Sequence, residues 1–348
     1  MANLRVGVIG LGMGRGHIRG YQTHPQAEVV AIADLDEPRL AEIGDAFGIE
    51  KRYTDAEAML AAENLDVVSI ALPNKFHKPY TLMALEAGCH VLCEKPMAMN
   101  AAEGREMLAA AKQAGKRLMI NFSYRFSEQS YALKAQVDSG ILGEVYFART
   151  VWHRRRGIPR FGGWFGQKAI SGGGPLIDLG VHRLDLALWL MGYPKPTWVM
   201  ASTYSPIADR LATAAGFDYD VEDLAVAMIK FENGATIEVE ASWATNTKEK
   251  EFMETRLLGT EAGLVQRNLN EGYEFEAELY LEREGYQFDM KVHPPLKPVP
   301  SAMNHFVESI LSDTPHIATG EEGLLVMQLL DAIYESAAKG EPVKIMPG

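Results

Sequence analysis

The stretch Leu4-Arg5-Val6-Gly7-Val8-Ile9-Gly10-Leu11-Gly12-Met13-Gly14-Arg15-Gly16 decides how the first third of this chain folds. A short apolar run gives way to glycines at every second position and then to a helical pattern. Strand, glycine turn and helix in that order form the setting in which backbone N–H groups and the positive end of a helix cradle a diphosphate. Gly10 and Gly12 supply the absent Cβ at the closest approach, with Met13 on the same turn. Arg15 occupies the third position of the Gly-x-Gly-x-x-Gly pattern, with glycines at 14 and 16 instead, a departure expected to affect helix packing more than binding.

Outward from this turn, strands near 28–33, 66–72, 90–93 and 117–121 alternate with helices near 15–23, 37–47, 77–87 and 101–114. That alternation predicts a parallel, doubly wound sheet. After Asn121 the pattern changes to consecutive strands near 144–152, 196–204, 224–231, 235–243, 254–258 and 274–282, with the hairpin signal Asn233-Gly234 between two of them. The fold class read from the sequence is therefore an N-terminal Rossmann sheet at 1–123, then a domain at 124–348 on a large open, mainly antiparallel sheet. The exposed face of that sheet calls for cover, from within the chain or from another subunit.

The chain has 348 residues, 47% apolar and 23% charged, and a net charge of −12, values of an ordinary globular protein with no broad nucleic-acid footprint. No apolar stretch reaches the length of a membrane span and no leader pattern precedes the first strand, so a cytoplasmic location is expected. Cys89 and Cys93 match no metal or disulfide pattern and read as small core residues; no metal site is expected.

Three groups of residues carry chemistry. Asp34, at the exit of the second strand, is placed to accept the ribose hydroxyls of an adenosine and to repel a 2′-phosphate, which favours NAD over NADP; Asp36 before Glu37-Pro38 can cap the next helix. Pro73, Asn74 and His77 follow the strand near 66–72, on the sheet edge where open α/β folds bind ligands. Glu94-Lys95-Pro96 then ends the run His90-Val91-Leu92-Cys93, and a residue before proline is held extended, so Lys95 is a cation aimed by the main chain.

The third group is Ser171-Gly172-Gly173-Gly174-Pro175-Leu176-Ile177-Asp178-Leu179-Gly180-Val181-His182-Arg183-Leu184-Asp185. Asp178 and His182 are four apart and share one face of a helix that is nearly all apolar from Leu184 through Met191, so the pair looks into the interior or a cleft. A buried Asp/His pair alone can be a satisfied core histidine; beside a nucleotide turn and a fixed lysine it fits proton transfer better. His153, Arg156 and Trp164 are candidate walls for a hydroxylated substrate, with Trp152 read as core and Trp164 as either core or a stacking platform.

Taken together in order along the chain, these motifs resemble the Gfo/Idh/MocA family of sugar and polyol oxidoreductases. The resemblance implies that Lys95 lies between nicotinamide and substrate, that His182 and Asp178 serve as acid/base and substrate ligand, and that Arg125 reaches substrate. It also implies a cis Lys95-Pro96 bond, final helices near 302–338 returning to the nucleotide domain, and a homo-oligomer, dimer or tetramer, through the C-terminal sheet. The expected function is NAD-dependent hydride transfer to or from a secondary hydroxyl of a cyclic sugar, glycoside, anhydrosugar or inositol. The rival readings are a glycosidase that oxidises its sugar transiently with bound NAD, and a nucleotide-sensing regulator.

Overall fold

Five short apolar segments, two of them buried at every position, and one short polar segment at the edge pair side by side in a parallel sheet. In the computed structural model, which describes residues 3–345, they are β1 (Leu4–Ile9), β2 (Ala27–Ala33), β3 (Lys51–Tyr53), β4 (Val67–Ile70), β5 (His90–Cys93) and β6 (Leu118–Ile120). All pairings are parallel and the order is β3-β2-β1-β4-β5-β6, the doubly wound order whose direction reverses between β1 and β4. The crossovers are α1 (Leu11–Gln22), α2 (Glu37–Phe47), α3 (Ala56–Ala62), α4 (His77–Glu86) and α5 (Ala101–Ala114). Their starts follow capping chemistry: Asp36 and Asn100 each accept the backbone N–H three residues on. Cys89 and Cys93 are buried free thiols of this core, as expected.

The glycine turn is shorter than the sequence suggested. α1 begins at Leu11, so only Gly10 is a turn residue, with φ 86°. A Cβ on Gly10 would lie 2.4 Å from the Ala71 carbonyl oxygen. The tight helix-to-strand contact falls on Gly14, where a Cβ would meet Val8 Cγ1 at 2.8 Å, while Arg15 is exposed. The packing expected to suffer at position 15 is therefore met one residue earlier.

After β6 come α6 (Glu128–Asp138), β7 (Val145–Arg154), the one-turn α7 (Lys168–Ser171), a π-turn at Leu176–Gly180 and α8 (Val181–Met191). Then follow β8 (Pro196–Tyr204), α9 (Pro206–Ala215), β9 (Leu224–Phe231), β10 (Thr236–Ser242), β11 (Glu251–Gly259), β12 (Ala262–Asn268), β13 (Phe275–Arg283) and β14 (Tyr286–Lys291). α10 (Ala302–Leu311), α11 (Gly320–Lys339) and β15 (Val343–Lys344) close the described chain. The nine-stranded sheet runs β14-β13-β12-β11-β7-β10-β9-β8-β15 and is antiparallel except between β7 and β10. The Asn233-Gly234 signal joins β9 to β10 as a hairpin with Gly234 at φ 87°. The inner face of this sheet, including Thr150, Trp152, Val239, Ala241, Met253 and Leu257, packs beneath α8, which is buried from Val181 to Leu190.

Two compact units result. The described residues up to Phe122 go with Pro300–Met327, and Ser123–Val299 goes with the described residues from Gln328 onward. Within the first unit α10 packs on α1: a Cβ on Gly20 would meet Met303 at 3.0 Å, and His24 pairs with Glu308 at 2.9 Å. No helix among the described residues is long and apolar enough to cross a membrane.

Candidate active site

In the first unit the site is an edge of backbone groups backed by a buried polar network. The N-terminus of α1 has no side-chain cap and no acidic residue in its first turn, and a Cβ on Gly12 would meet nothing within 4 Å. Past Leu11, whose N–H goes to Asp34, the open space at Gly12 and the positive helix end suit an anion. Met13 stands beside them, 68% exposed. Asp34 accepts the Leu11 N–H at 2.7 Å and the Asp36 N–H at 2.9 Å, which fixes its carboxylate at the end of β2. Arg39 pairs with both Asp34 (3.2 Å) and Asp36 (2.8 Å), a cation five residues away that the sequence reading left out. These features fit an NAD diphosphate at α1 and an adenosine ribose at Asp34.

Pro73 and Asn74 lie on the same edge, at the exit of β4. His77 does not: its ring is wholly buried, with Nδ1 2.6 Å from the Pro96 carbonyl oxygen and Nε2 2.8 Å from that of Leu72. It is a stitch between two loops rather than a cofactor contact. Burial dominates its titration and holds its pKa below the usual imidazole value against those two carbonyls. The loop it stitches contains the Lys95–Pro96 bond, which is cis.

Glu94 also faces inward. Its Oε1 lies 2.7 Å from His17 Nε2 and accepts from Asn121 Nδ2 at 2.7 Å, and its Oε2 accepts the Lys95 N–H at 3.2 Å. Burial alone would raise its pKa, yet the His17 hydrogen bond and charge, with Lys95 and Asn121, outweigh that and bring it down to about 2. His17 also lies 2.9 Å from the Ser69 hydroxyl, so one network ties α1, β4, β5 and β6 beneath Lys95. His17 and Asn121 were not among the sequence candidates.

In the second unit the site is built on the π-turn. From Gly173 to Leu190 every residue except Asp178 is buried. Asp178 Oδ2 accepts the Trp243 indole N–H at 3.1 Å. His182, 9% exposed, is walled by Tyr124 at 5.0 Å and Trp152 at 5.8 Å between ring centroids. Trp152 is thus both core, as expected, and a wall of the imidazole. Arg183, fully buried, lies against the rings of Tyr124 (4.6 Å) and Phe275 (4.8 Å) and donates to Gln266 at 3.2 Å; burial lowers its pKa to about 10.

The turn is held by a carboxylate that the sequence reading missed. Glu222 accepts the N–H of Gly174 at 2.9 Å, that of Leu176 at 3.1 Å and the Tyr334 hydroxyl at 3.0 Å. A Cβ on Gly173 would sit 2.0 Å from the Tyr334 hydroxyl oxygen, and one on Gly174 2.1 Å from the Glu222 carbonyl oxygen. The glycines of this motif make room for the clamp. Only their run before Pro175 hinted at it.

The other candidates have partners of their own. Arg125 is 0% exposed; its Nε donates to Asp185 at 2.8 Å, its Nη2 at 2.5 Å, and Tyr193 adds a third partner, so it is an internal anchor and not a substrate ligand. His153 alternates to the sheet face opposite Trp152, where it pairs with Glu240 at 3.3 Å. Arg156 is exposed and donates to Thr245 (3.0 Å) and Asn246 (2.8 Å). Trp164 stacks on Phe165 with centroids 3.8 Å apart, and Phe165 in turn meets Trp243.

Comparison with known proteins bears on both units. Residues 4–122 match the family described as "Oxidoreductase family, NAD-binding Rossmann fold", and residues 131–265 match the "GFO/IDH/MocA C-terminal domain". The chain is 35% identical to D-glucoside 3-dehydrogenase of Escherichia coli (strain K12), over 98% of this chain and 97% of that one. It is 30% identical to D-apiose dehydrogenase of Paraburkholderia graminis, over 97% and 88%. A crystal structure of levoglucosan dehydrogenase with NADH and levoglucosan superposes with a TM-score of 0.86 at 27% identity, covering 99% of this chain and all of that one. The N-terminal sheet is an NAD-binding Rossmann fold and NAD is the cofactor.

Proposed function

The chain belongs to the Gfo/Idh/MocA family of NAD-binding oxidoreductases, and on that footing we propose that it oxidises a secondary hydroxyl of a cyclic sugar, glycoside, anhydrosugar or inositol. The observation that carries the reading is the Asp178/His182 pair: two titratable side chains on one largely buried helical segment, with aromatic rings around His182. NAD, when bound, supplies the hydride acceptor. Gly10, Gly12 and Met13 would hold its diphosphate at α1, Asp34 its adenosine ribose, and Pro73 and Asn74 the adjoining edge.

The reaction then needs a base for the hydroxyl proton and a donor for the oxygen as it gains charge. Neutral His182 takes the proton, since an imidazole titrates near neutral pH without much tuning. Lys95, the cation held at the exit of β5 in the first unit, is the kind of donor that stabilises an alkoxide in one direction and polarises a carbonyl in the other. Glu94 and His77 act on Lys95 from below by fixing its peptide and the loop that follows. Asp178, oriented by the Trp243 indole, binds a neighbouring hydroxyl.

The open face of the nine-stranded sheet, where Met200, Val226 and Met228 lie in a shallow depression, supports assembly of copies of this chain, to be read by light scattering. Free buried thiols at Cys89 and Cys93 suit a reducing, cytoplasmic setting. The activity test is accumulation of NADH absorbance across a panel of pyranoses, glycosides and inositols. His182→Ala is expected to lower kcat by 10²- to 10⁴-fold. Turnover within a few-fold of the parent would remove His182 as the base, and sugar cleavage without net NADH would favour the glycosidase reading.

A further inference from the structure

The second unit contains a cleft of about 540 Å³ bordered by Ser123, Tyr124, Gln129, Tyr273, Glu274 and Phe275. Tyr124 belongs both to this cleft and to the wall of His182, so the cleft begins one aromatic ring away from the imidazole. Tyr124 packs edge-on against the imidazole on one side and borders the cleft on the other, so a ligand reaching His182 would meet the cleft by passing this ring.

Tyr273 is 58% exposed and yet fixed. Its hydroxyl donates to Glu251 at 2.9 Å and lies 2.9 Å from the Arg154 guanidinium, which donates to it. The loop that carries it is fixed as well: Asn268 Nδ2 donates to the Gly272 carbonyl at 3.1 Å, and the Leu269 N–H donates to the Glu274 carbonyl at 2.8 Å. A solvent-facing ring already held in one rotamer loses little entropy when a ligand covers it. Around it, the Gln129 and Glu274 side chains make no hydrogen bond or ion pair with the described residues.

That chemistry selects among occupants. An alkyl chain would leave Gln129 and Glu274 unanswered, and a phosphate would face the Glu274 carboxylate. A second sugar or aryl ring offers an apolar face to Tyr273, and a sugar adds hydroxyls for Gln129 and Glu274. We infer that this cleft receives the non-reacting ring of a two-ring glycoside, so that the preferred substrate is a disaccharide or aryl glycoside. The inference rests on the dehydrogenase reading above for the position of the reacting ring.

The test compares methyl glucoside, phenyl glucoside and glucose disaccharides with the full-length protein, by NADH formation and, in parallel, by calorimetric binding. The parent is expected to favour two-ring glycosides over methyl glucoside about tenfold in kcat/KM and in affinity, the yield of one aromatic stacking contact. Tyr273→Ala, a surface change, should collapse that ratio at least fivefold, while Tyr273→Phe keeps most of it. Equal parent constants for one-ring and two-ring glycosides, or an unchanged ratio in Tyr273→Ala, would overturn the inference. Preferential binding without turnover supports the cleft and sinks the dehydrogenase reading alone. Phenyl glucoside matching the disaccharides marks ring stacking as the source, and disaccharides ahead of it mark the hydroxyl contacts.

Discussion

Removing the charge of Glu94 should destabilise the first unit in a way that depends on pH. Its carboxyl is held down from 4.5 to about 2, which corresponds to about 3 kcal/mol of folding free energy. Because the folded value lies below the unfolded one, that contribution is complete above about pH 5 and is lost as pH falls toward 2. Glu94→Gln keeps the size of the side chain and an acceptor for Asn121 but not the charge opposite His17. We expect a loss of about 2–3 kcal/mol at pH 7 that shrinks below about 1 kcal/mol near pH 2.5. Urea unfolding by far-UV circular dichroism reads both units. All five tryptophans lie between positions 152 and 243, so fluorescence follows the second unit alone and isolates the first by difference. A variant as stable as the parent at pH 7, or a gap that stays constant down to pH 3, would refute the assignment of this stability to the ionised carboxylate.

Two further substitutions test packing. Gly14→Ala should cost about 1–3 kcal/mol because its Cβ meets Val8, whereas Gly16→Ala, with nothing in reach, should gain up to about 1 kcal/mol; the two melting temperatures should move in opposite directions. Breaking the buried Arg125–Asp185 pair by Arg125→Met should cost about 3–5 kcal/mol in denaturant unfolding, with part regained in Arg125→Met/Asp185→Leu. A KM change at unaltered stability would instead return Arg125 to the substrate.

Elements whose apolar runs end at a cap were legible from the sequence. β1 at Leu4–Ile9, α2 at Glu37–Phe47 and α5 at Ala101–Ala114 fall at the expected residues. β3 at Lys51–Tyr53 was not, because three polar-rich residues carry no alternation, and β14 is exposed along its whole length, so it has no buried face to announce it. The site divides along the same line. Local motifs marked Gly10, Asp34, Lys95, Asp178 and His182. The groups that hold them depend on distance in sequence: His17 meets Glu94 across 77 positions, and Glu222 meets Gly174 across 48. The same reason hid the Asp185 partner of Arg125, which left a buried anchor looking like a free cation.

The π-turn at Leu176–Gly180 sets a phase as well as a position. A wider turn of this kind amounts to one residue inserted in an α-helix, and each residue of an α-helix advances the side chains by about 100°. Deleting Leu179, which lies between them, would leave Asp178 and His182 chemically intact and swing one out of step with the other. Length between these two residues is therefore as binding a constraint on the segment as their identity, and variants selected for activity should tolerate an apolar substitution at Leu179 far better than any change in the count of residues between 178 and 182.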